Sequence, residues 1–432
     1  MASLTGAILL LLLVVAIGSV ISARRIERAR QAEAEQHREA ENRLRQGERL
    51  INFMLGDLVD RLEPVGRLDV LESTISQVDQ FYSSIPPRQL TPESQRHRAN
   101  ALFQFAEIRA SQGRLAESVS NYRQAIEAYA QLISAHPTNL QWQFELTRTW
   151  NDLGIVFARQ DQFTNAAEAL ENSLHERERL LQLQPTNSYW LGALGATAQN
   201  LGQVNRRLGN SDQATAWLRR AESAFRRWIE LEPNAPLPKE RLATTRGSLG
   251  QQLAASGKLE EAAQAYGDKV SILRELLRQD PQHTRRQADL ALGLGYVGEL
   301  EAQQSNWVSA VASLSEGISQ FEALVKRDPS NREWLMFLVS QLVDRGGAFR
   351  ALQRPEEALG DVRQVWQLSE PALDTARQFP EWLNNWRQAL LTGEELEREL
   401  AVQARKAEQP AQAEAHEAAA NQLQAKRQTL PK

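Results

Sequence analysis

The chain has 432 residues, which requires either several domains or an extended repeat array rather than one compact core. Its formal net charge is -4, with 50 basic and 54 acidic residues spread along the sequence, so no global positive field exists to attract nucleic acid. The absence of cysteine excludes disulfides, thiolate nucleophiles and cysteine-based zinc sites, and the abundance of Ala, Leu, Gln, Arg and Glu predicts an all-α fold.

The first segment is apolar. Residues 4–23 contain no charged side chain, and a helix of this length spans roughly 30 Å of hydrocarbon. We therefore predict that residues 1–23 form a transmembrane anchor. A cleaved signal peptide is the alternative, because Ile21 and Ala23 resemble a cleavage site. Four arginines follow at once, which places the rest of the chain in the bacterial cytoplasm by the positive-inside rule, with the periplasm as the alternative because acidic residues follow closely: Arg24, Arg25, Arg28, Arg30.

Two helical segments connect this anchor to the rest of the chain. Residues 24–63 form a charged juxtamembrane helix, which is either a solvated helix or a dimeric coiled-coil stalk with an irregular heptad. Pro64 and Gly66 interrupt it, and residues 64–90 form a connecting amphipathic helix that Pro86 and Pro87 close. Thr91 and Pro92 then mark a strong helix start.

Beyond this point the sequence repeats every 48 residues. Five prolines keep the period without drift: Pro137, Pro185, Pro233, Pro281, Pro329. The same step aligns further small and apolar positions of the repeat, namely Trp150, Leu153, Gly154, Ala166, Leu201, Gly202, Ala214, Leu249, Gly250, Ala262, Gly298, Ala310, Gly346 and Ala358. Each unit divides into two helical stretches that read as a hairpin. A glycine inside a helix costs about 1 kcal/mol relative to alanine, so its recurrence predicts that the paired helix approaches closely there, at the alanine register.

The registers resemble the tetratricopeptide repeat. Trp150, Leu153, Gly154, Ala166 and Leu170 match its order of a tryptophan and Leu-Gly on the first helix and an alanine and a bulky residue on the second. The unit is longer than the family's usual one of about 34 residues, which we interpret as lengthening of both helices. The resemblance implies a right-handed superhelical solenoid of helix hairpins. Residues 53–71 also resemble the membrane-proximal piece of bacterial signalling proteins.

These patterns divide the repeat region into three parts. Residues 91–377 form a solenoid of six units, residues 378–400 form a capping helix that carries Trp382 and Trp386, and residues 401–432 form an Ala-, Gln- and Glu-rich tail. The tail has little to bury, so we expect it to be frayed.

No catalytic or metal site is predicted. Gly293, Gly295 and Gly298 spell G-x-G-x-x-G, but Gly298 belongs to the helical repeat and the motif binds nucleotides only between a strand and a helix. The six histidines have no metal-ligand spacing. We expect no enzyme activity, no cofactor and no small-molecule substrate.

The repeats instead predict a docking surface on the concave wall that first helices line. Helical spacing directs a basic and amide-rich set toward that wall: Arg148, Asn151, Arg159, Gln199, Gln203, Arg206, Arg207. Such side chains suit acidic segments or the C-termini of partner proteins; the alternative is a solvated surface without a ligand. The expected function is a scaffold for protein or peptide partners, anchored in the bacterial inner membrane. The alternative is a regulatory or sensory module that acts on a separate kinase or effector.

Overall fold

The structure is a computed structural model that describes residues 42–51, 53–55, 71–85, 90–370 and 380–430, together with isolated positions between 24 and 39. Every regular element among these residues is a helix, and no strand occurs in this part of the chain. The all-α prediction is therefore confirmed for the described residues. The chain divides into two compact units, residues 1–176 and 177–432.

The helices follow one another in a regular order. The first unit contains α1 (Leu71–Ser84), α2 (Pro92–Ser111), α3 (Leu115–Ala135) and α4 (Leu140–Arg159), and α5 (Phe163–Leu183) crosses the unit boundary. The second unit continues with α6 (Ser188–Arg207), α7 (Ser211–Leu231), α8 (Pro236–Ala255), α9 (Leu259–Gln279), α10 (Thr284–Gln303), α11 (Trp307–Arg327), α12 (Arg332–Ala351), α13 (Pro355–Ser369), α14 (Pro380–Lys406) and α15 (Pro410–Thr429).

The 48-residue period is the length of one helix hairpin. From α2 to α11 each first helix has 20 residues and each second helix has 21, and a short turn and a short link complete the unit. Helices α2 and α3 pair in this way in the first unit, and α6 pairs with α7, α8 with α9 and α10 with α11 in the second. The predicted helix hairpins are confirmed.

The turn inside each hairpin uses a residue with positive φ. These residues also recur every 48 positions: Gly113, Asp161, Gly209, Gly257, Ser305, Gln353. The left-handed conformation ends the first helix and turns the chain back, and glycine adopts it without steric cost. Asp161, Ser305 and Gln353 adopt it although they carry side chains.

Side-chain caps fix where first helices begin. The side-chain oxygens of Asn139, Asn187 and Asn331 accept hydrogen bonds from the backbone N–H groups three residues later, at 3.1, 3.1 and 3.2 Å. Thr91 does the same for the Ser94 N–H at 3.1 Å. Each cap satisfies a backbone donor that has no partner inside the helix.

The glycines of the repeat permit close helix pairing, as predicted. A Cβ added at Gly154 would lie 2.7 Å from Leu170 Cγ and 3.1 Å from the Ala166 carbonyl oxygen. Gly202 lies in the same way against Leu218 and Ala214, and Gly298 lies against Leu314 and Ala310. The fit is looser at Gly346, where the nearest atom would be 3.7 Å away.

The C-terminal prediction needs correction. The helix that begins at Pro380 does not end near residue 400 but runs to Lys406, and α15 packs against it. The tail is thus helical rather than frayed. Ala413 and Ala420 are buried because their small side chains allow α15 to approach closely, and Leu430 joins the core cluster of Trp382 and Trp386. Charge pairs add to this contact, since Arg427 lies 3.0 Å from Glu394 and His416 lies 2.6 Å from Glu397.

The N-terminal predictions are tested only in part. The membrane span at residues 4–23 lies outside the described residues, as do residues 56–70. The described positions between residues 24 and 55 are helical, and the connecting helix is α1. In the part of the chain that the structure covers, no helix is both long and apolar enough to cross a bilayer.

Candidate functional site

The exposed sides of first helices α6, α8, α10 and α12 form the candidate site, which we call the first-helix face of the second unit. On each helix its residues are spaced by three or four positions, so they share one side. The members that the argument uses are Gln203, Arg206, Glu240, Arg241, Thr244, Gln251, Arg285, Asp289, Tyr296, Glu299 and Asp344.

One part of this face is built around two tyrosines. The rings of Tyr266 and Tyr296 stack with centroids 5.1 Å apart, and Gln251 Nε2 donates a hydrogen bond of 2.8 Å to the Tyr296 hydroxyl. Burial raises the pKa of both phenols, and the nearby Arg206 guanidinium opposes that shift. Arg206 itself is exposed and forms no ion pair with another described residue. A cation, an amide and an aromatic ring are therefore presented together.

A junction of three helices lies beneath the face in each hairpin, where a first helix, its second helix and the next first helix meet. Successive junctions occupy the same repeat positions: Phe103, Ala125 and Thr149; Gln199, Ala221 and Thr245; Gly247, Lys269 and Gly293; Gly295, Gly317 and Gln341. Each of these junctions holds one long side chain among small residues. The long side chain changes helix from one junction to the next, and glycines make space for it.

Lys269 is the long side chain of the third junction, at a position where the others have Ala125, Ala221 or Gly317. A Cβ at Gly247 would lie 3.1 Å from Lys269 Cδ and 3.3 Å from its Nζ, and one at Gly293 would lie 3.5 Å from Cδ. Lys269 is only 6% exposed. Its Nζ lies 5.8 Å from the centroid of the Tyr296 ring. Among the described residues it has no hydrogen bond and no ion pair, whereas the Gln199 and Gln341 side chains are hydrogen-bonded in their own junctions.

The Lys269 side chain borders a cleft of about 110 Å³ between α8 and α10. Helix α8 contributes Glu240, Arg241 and Thr244, and the start of α10 contributes Arg285, Arg286 and Asp289. Arg286 is neutralised by Glu240 at 2.6 Å. Burial lowers the pKa of Lys269, and Asp289 opposes that shift electrostatically. The cleft therefore presents cations to solvent at one end of the first-helix face.

The opposite end of the face is acidic. Burial raises the pKa of Asp344, on α12, to about 7, and the charge of Glu299 raises it further. No hydrogen bond or ion pair joins the Asp344 carboxyl to another described residue. The face therefore runs from Arg206 on α6 to carboxyl groups on α10 and α12.

Three of the predicted groove residues lie in the first unit, where neighbouring groups already engage them. Arg148 is exposed, stacks 4.1 Å over the Phe103 ring and lies 3.6 Å from Glu107. Arg159 is exposed but donates a hydrogen bond of 3.0 Å to the Ala110 carbonyl. Asn151 is buried, so its predicted exposure was wrong. Its position is the junction position, which the next helices cover.

The other four predicted residues lie in the second unit. Gln203, Arg206 and Arg207 are exposed near the C-terminal end of α6. Gln199 is buried and accepts a hydrogen bond of 3.1 Å from Thr245 Oγ1, so it too occupies a junction rather than the predicted groove. The structure thus keeps three of the four at the surface of one helix.

The sequence analysis missed Lys269, Arg241, Arg285 and Asp344. For Lys269 a signal existed, because the 48-residue register places it among Ala125, Ala221 and Gly317, which are small. A lysine at a small-residue position, together with Gly247 and Gly293, marks an altered junction. No cluster of three or more His, Asp or Glu residues that could hold a metal ion occurs among the described residues.

Comparisons with known proteins agree with the hairpin architecture. A family model for the tetratricopeptide repeat matches residues 99–132, which lie in α2 and α3. No curated protein matches the chain.

Several solved structures resemble the chain at low identity. The apo form of RapI is 10% identical with a TM-score of 0.49, and the match covers 87% of this chain and 98% of that one. BtubC from P. vanneervenii is 15% identical with a TM-score of 0.45, covering 60% and 91%. The apo form of the quorum sensor NprR from B. thuringiensis is 11% identical with a TM-score of 0.41, covering 89% and 99%.

The family match covers one hairpin, and the same hairpin geometry recurs every 48 residues in both units. On these two observations, the chain is a tetratricopeptide repeat protein.

Proposed function

We propose that the chain is a non-enzymatic scaffold, anchored in a bacterial inner membrane by residues 4–23, whose first-helix face binds acidic segments of partner proteins. Stacked hairpins of this kind present extended surfaces that suit elongated partners. The proposal places the repeats in the cytoplasm and requires no cofactor.

The supporting observation is the distribution of unpaired cations on the first-helix face. Arg206, Arg241, Arg285 and Lys269 form no ion pair with described residues. Arginines on the second helices contrast with them, because Arg219 pairs with Glu261 at 2.7 Å and Arg274 pairs with Glu316 at 2.6 Å. Cations without a partner in their own chain attract carboxylates from another.

Charge reversal on α6 tests the proposal. Full-length protein with Arg206→Glu and Arg207→Glu should lose its partners in quantitative cross-linking and capture from solubilised membranes, while far-ultraviolet circular dichroism stays unchanged. Both side chains are exposed, so their replacement leaves the core intact.

A matched control reverses two charges elsewhere. Arg278→Glu with Lys326→Glu changes exposed positions on second helices α9 and α11 and should retain the partners. Equal capture by the first-helix variant and wild type would refute the proposed groove. Loss in both variants would instead indicate general electrostatic attraction. A captured kinase or similar effector would favour the regulatory alternative over a passive scaffold.

The membrane anchor needs its own measurement. Full-length protein should stay in the membrane fraction after alkaline carbonate extraction, and a variant without residues 1–23 should not. Release of the full-length protein by carbonate would contradict the proposed anchor without affecting the groove.

A further inference from the structure

The ammonium of Lys269 lacks an acceptor within its own chain. A charged group that is nine-tenths buried is destabilising unless something compensates it. Alanine fills the same junction position in two other hairpins, at Ala125 and Ala221, so packing there does not require a lysine. Gly247 and Gly293 leave the space in which its side chain extends between α8 and α10.

The cleft next to Lys269 has the room and the charge for an oxyanion. Its volume of about 110 Å³ is several times the roughly 10–15 Å³ that one water requires. Arg241 and Arg285 line it without ion pairs, and Arg286 is neutralised by Glu240. With Asp289 counted against Lys269, Arg241 and Arg285, two positive charges remain in excess.

The first turn of α10 adds a second attraction. Thr284 is its first residue, and Arg285 and Arg286 of that turn line the cleft. Backbone N–H groups at a helix start carry partial positive charge and bind anions. His283 caps this helix, since its Nδ1 accepts the Arg286 N–H at 3.3 Å.

We propose that the cleft bordered by Lys269, Arg241 and Arg285 binds a phosphate monoester. A monoester carries about -1.5 to -2 charges at neutral pH, which matches the excess in the cleft, whereas a carboxylate would leave one positive charge uncompensated. The phosphate belongs either to a free small molecule or to a phosphorylated side chain of a partner. In the second case the inference rests on the proposed scaffold function.

Direct titration tests the site without any partner. Isothermal titration of the full-length protein with phenyl phosphate should show saturable binding at one site, and inorganic phosphate should compete. Lys269→Met keeps the length of the side chain but removes its charge, and should weaken binding at least tenfold. Lys326→Met removes an exposed lysine of α11 and should bind as wild type does.

Lys269→Ala provides a second variant in case methionine disturbs the junction, because it restores the residue found at position 221. Circular dichroism verifies that both variants are folded. Absence of saturable binding to wild type, equal binding by the Lys269 variants, or equally tight binding of acetate would each overturn the proposal. A phosphoserine peptide that binds more tightly than phenyl phosphate would identify the source as a partner, and equal binding would identify a free ester. These results do not depend on capture through Arg206 and Arg207, so the two proposals fail separately.

Discussion

A pair of glycine-to-alanine substitutions tests how closely the helices of a hairpin approach. Gly202 on α6 faces Leu218, and an added Cβ would lie 2.7 Å from Leu218 Cγ and 3.3 Å from the Ala214 carbonyl oxygen. Ordinary contacts between carbon atoms are about 3.5–4.0 Å long. Leu218 is buried, and the carbonyl belongs to the backbone, so neither atom moves aside cheaply. Gly267 on α9 is the control, because nothing lies within 4 Å of its added Cβ.

Both substitutions gain about 1 kcal/mol from helix propensity. Gly202→Ala also suffers overpacking, which costs about 1–3 kcal/mol. We therefore expect Gly267→Ala to raise the free energy of unfolding by about 1 kcal/mol. Gly202→Ala should lie about 1–3 kcal/mol below it.

Urea titration followed by circular dichroism measures the difference between the two variants. Repeat arrays do not always unfold in one step, so the comparison uses transitions with equal slopes. If Gly202→Ala is as stable as Gly267→Ala, the helices do not approach as the structure places them, and the explanation of the glycine register fails.

Three further predictions concern charge and the C-terminal helix. Lys269→Met should stabilise the fold at neutral pH by about 1–3 kcal/mol, because it removes a buried unpaired charge. Burial lowers the pKa of Lys269, so this gain should shrink as pH rises toward 10.5 in urea titrations; a constant gain would contradict it. Burial raises the pKa of Asp344 to about 7 from 3.8, so wild-type stability should fall as pH rises between these values. Asp344→Asn should remove that part of the pH dependence, and an unchanged profile would show that Asp344 is not the cause. Deleting residues 407–432 removes buried Leu430 and should cost at least about 1.5–3 kcal/mol in thermal unfolding, whereas an unchanged midpoint would mean that α15 does not stabilise the unit.

The sequence period was enough to predict the hairpins and the reason for the repeated glycines. Gly154, Gly202 and Gly298 align at 48 residues, and each lies against the bulky residue of the paired helix. Periodicity works here because each unit repeats the same local packing, so one interpretation applies to all. The non-nucleotide interpretation of Gly293 and Gly295 gains a physical reason, because they make space for Lys269 and Gln341.

The candidate site was less predictable. Helical spacing groups Asn151 and Gln199 with exposed residues, yet both are buried because the next hairpin covers that side of the helix. Spacing within one helix does not reveal where its neighbours lie. The tail was misjudged for a related reason. Its alanines at 413 and 420 have little apolar surface, but their small size permits contact with α14.

The three-helix junctions fix the order of the hairpins along the chain. Lys269 requires Gly293 beside it, and Gln341 requires Gly295 and Gly317. Loss of residues 284–331, one full period, would join α9 to α12 and set Lys269 against Gln341, with neither glycine of α10 between them. Although every hairpin has the same length, these hairpins are not interchangeable, and an in-frame gain or loss of one unit would carry a steric penalty. Evolution by duplication of whole units is therefore constrained in this part of the array, where a new copy must bring a neighbour of complementary size.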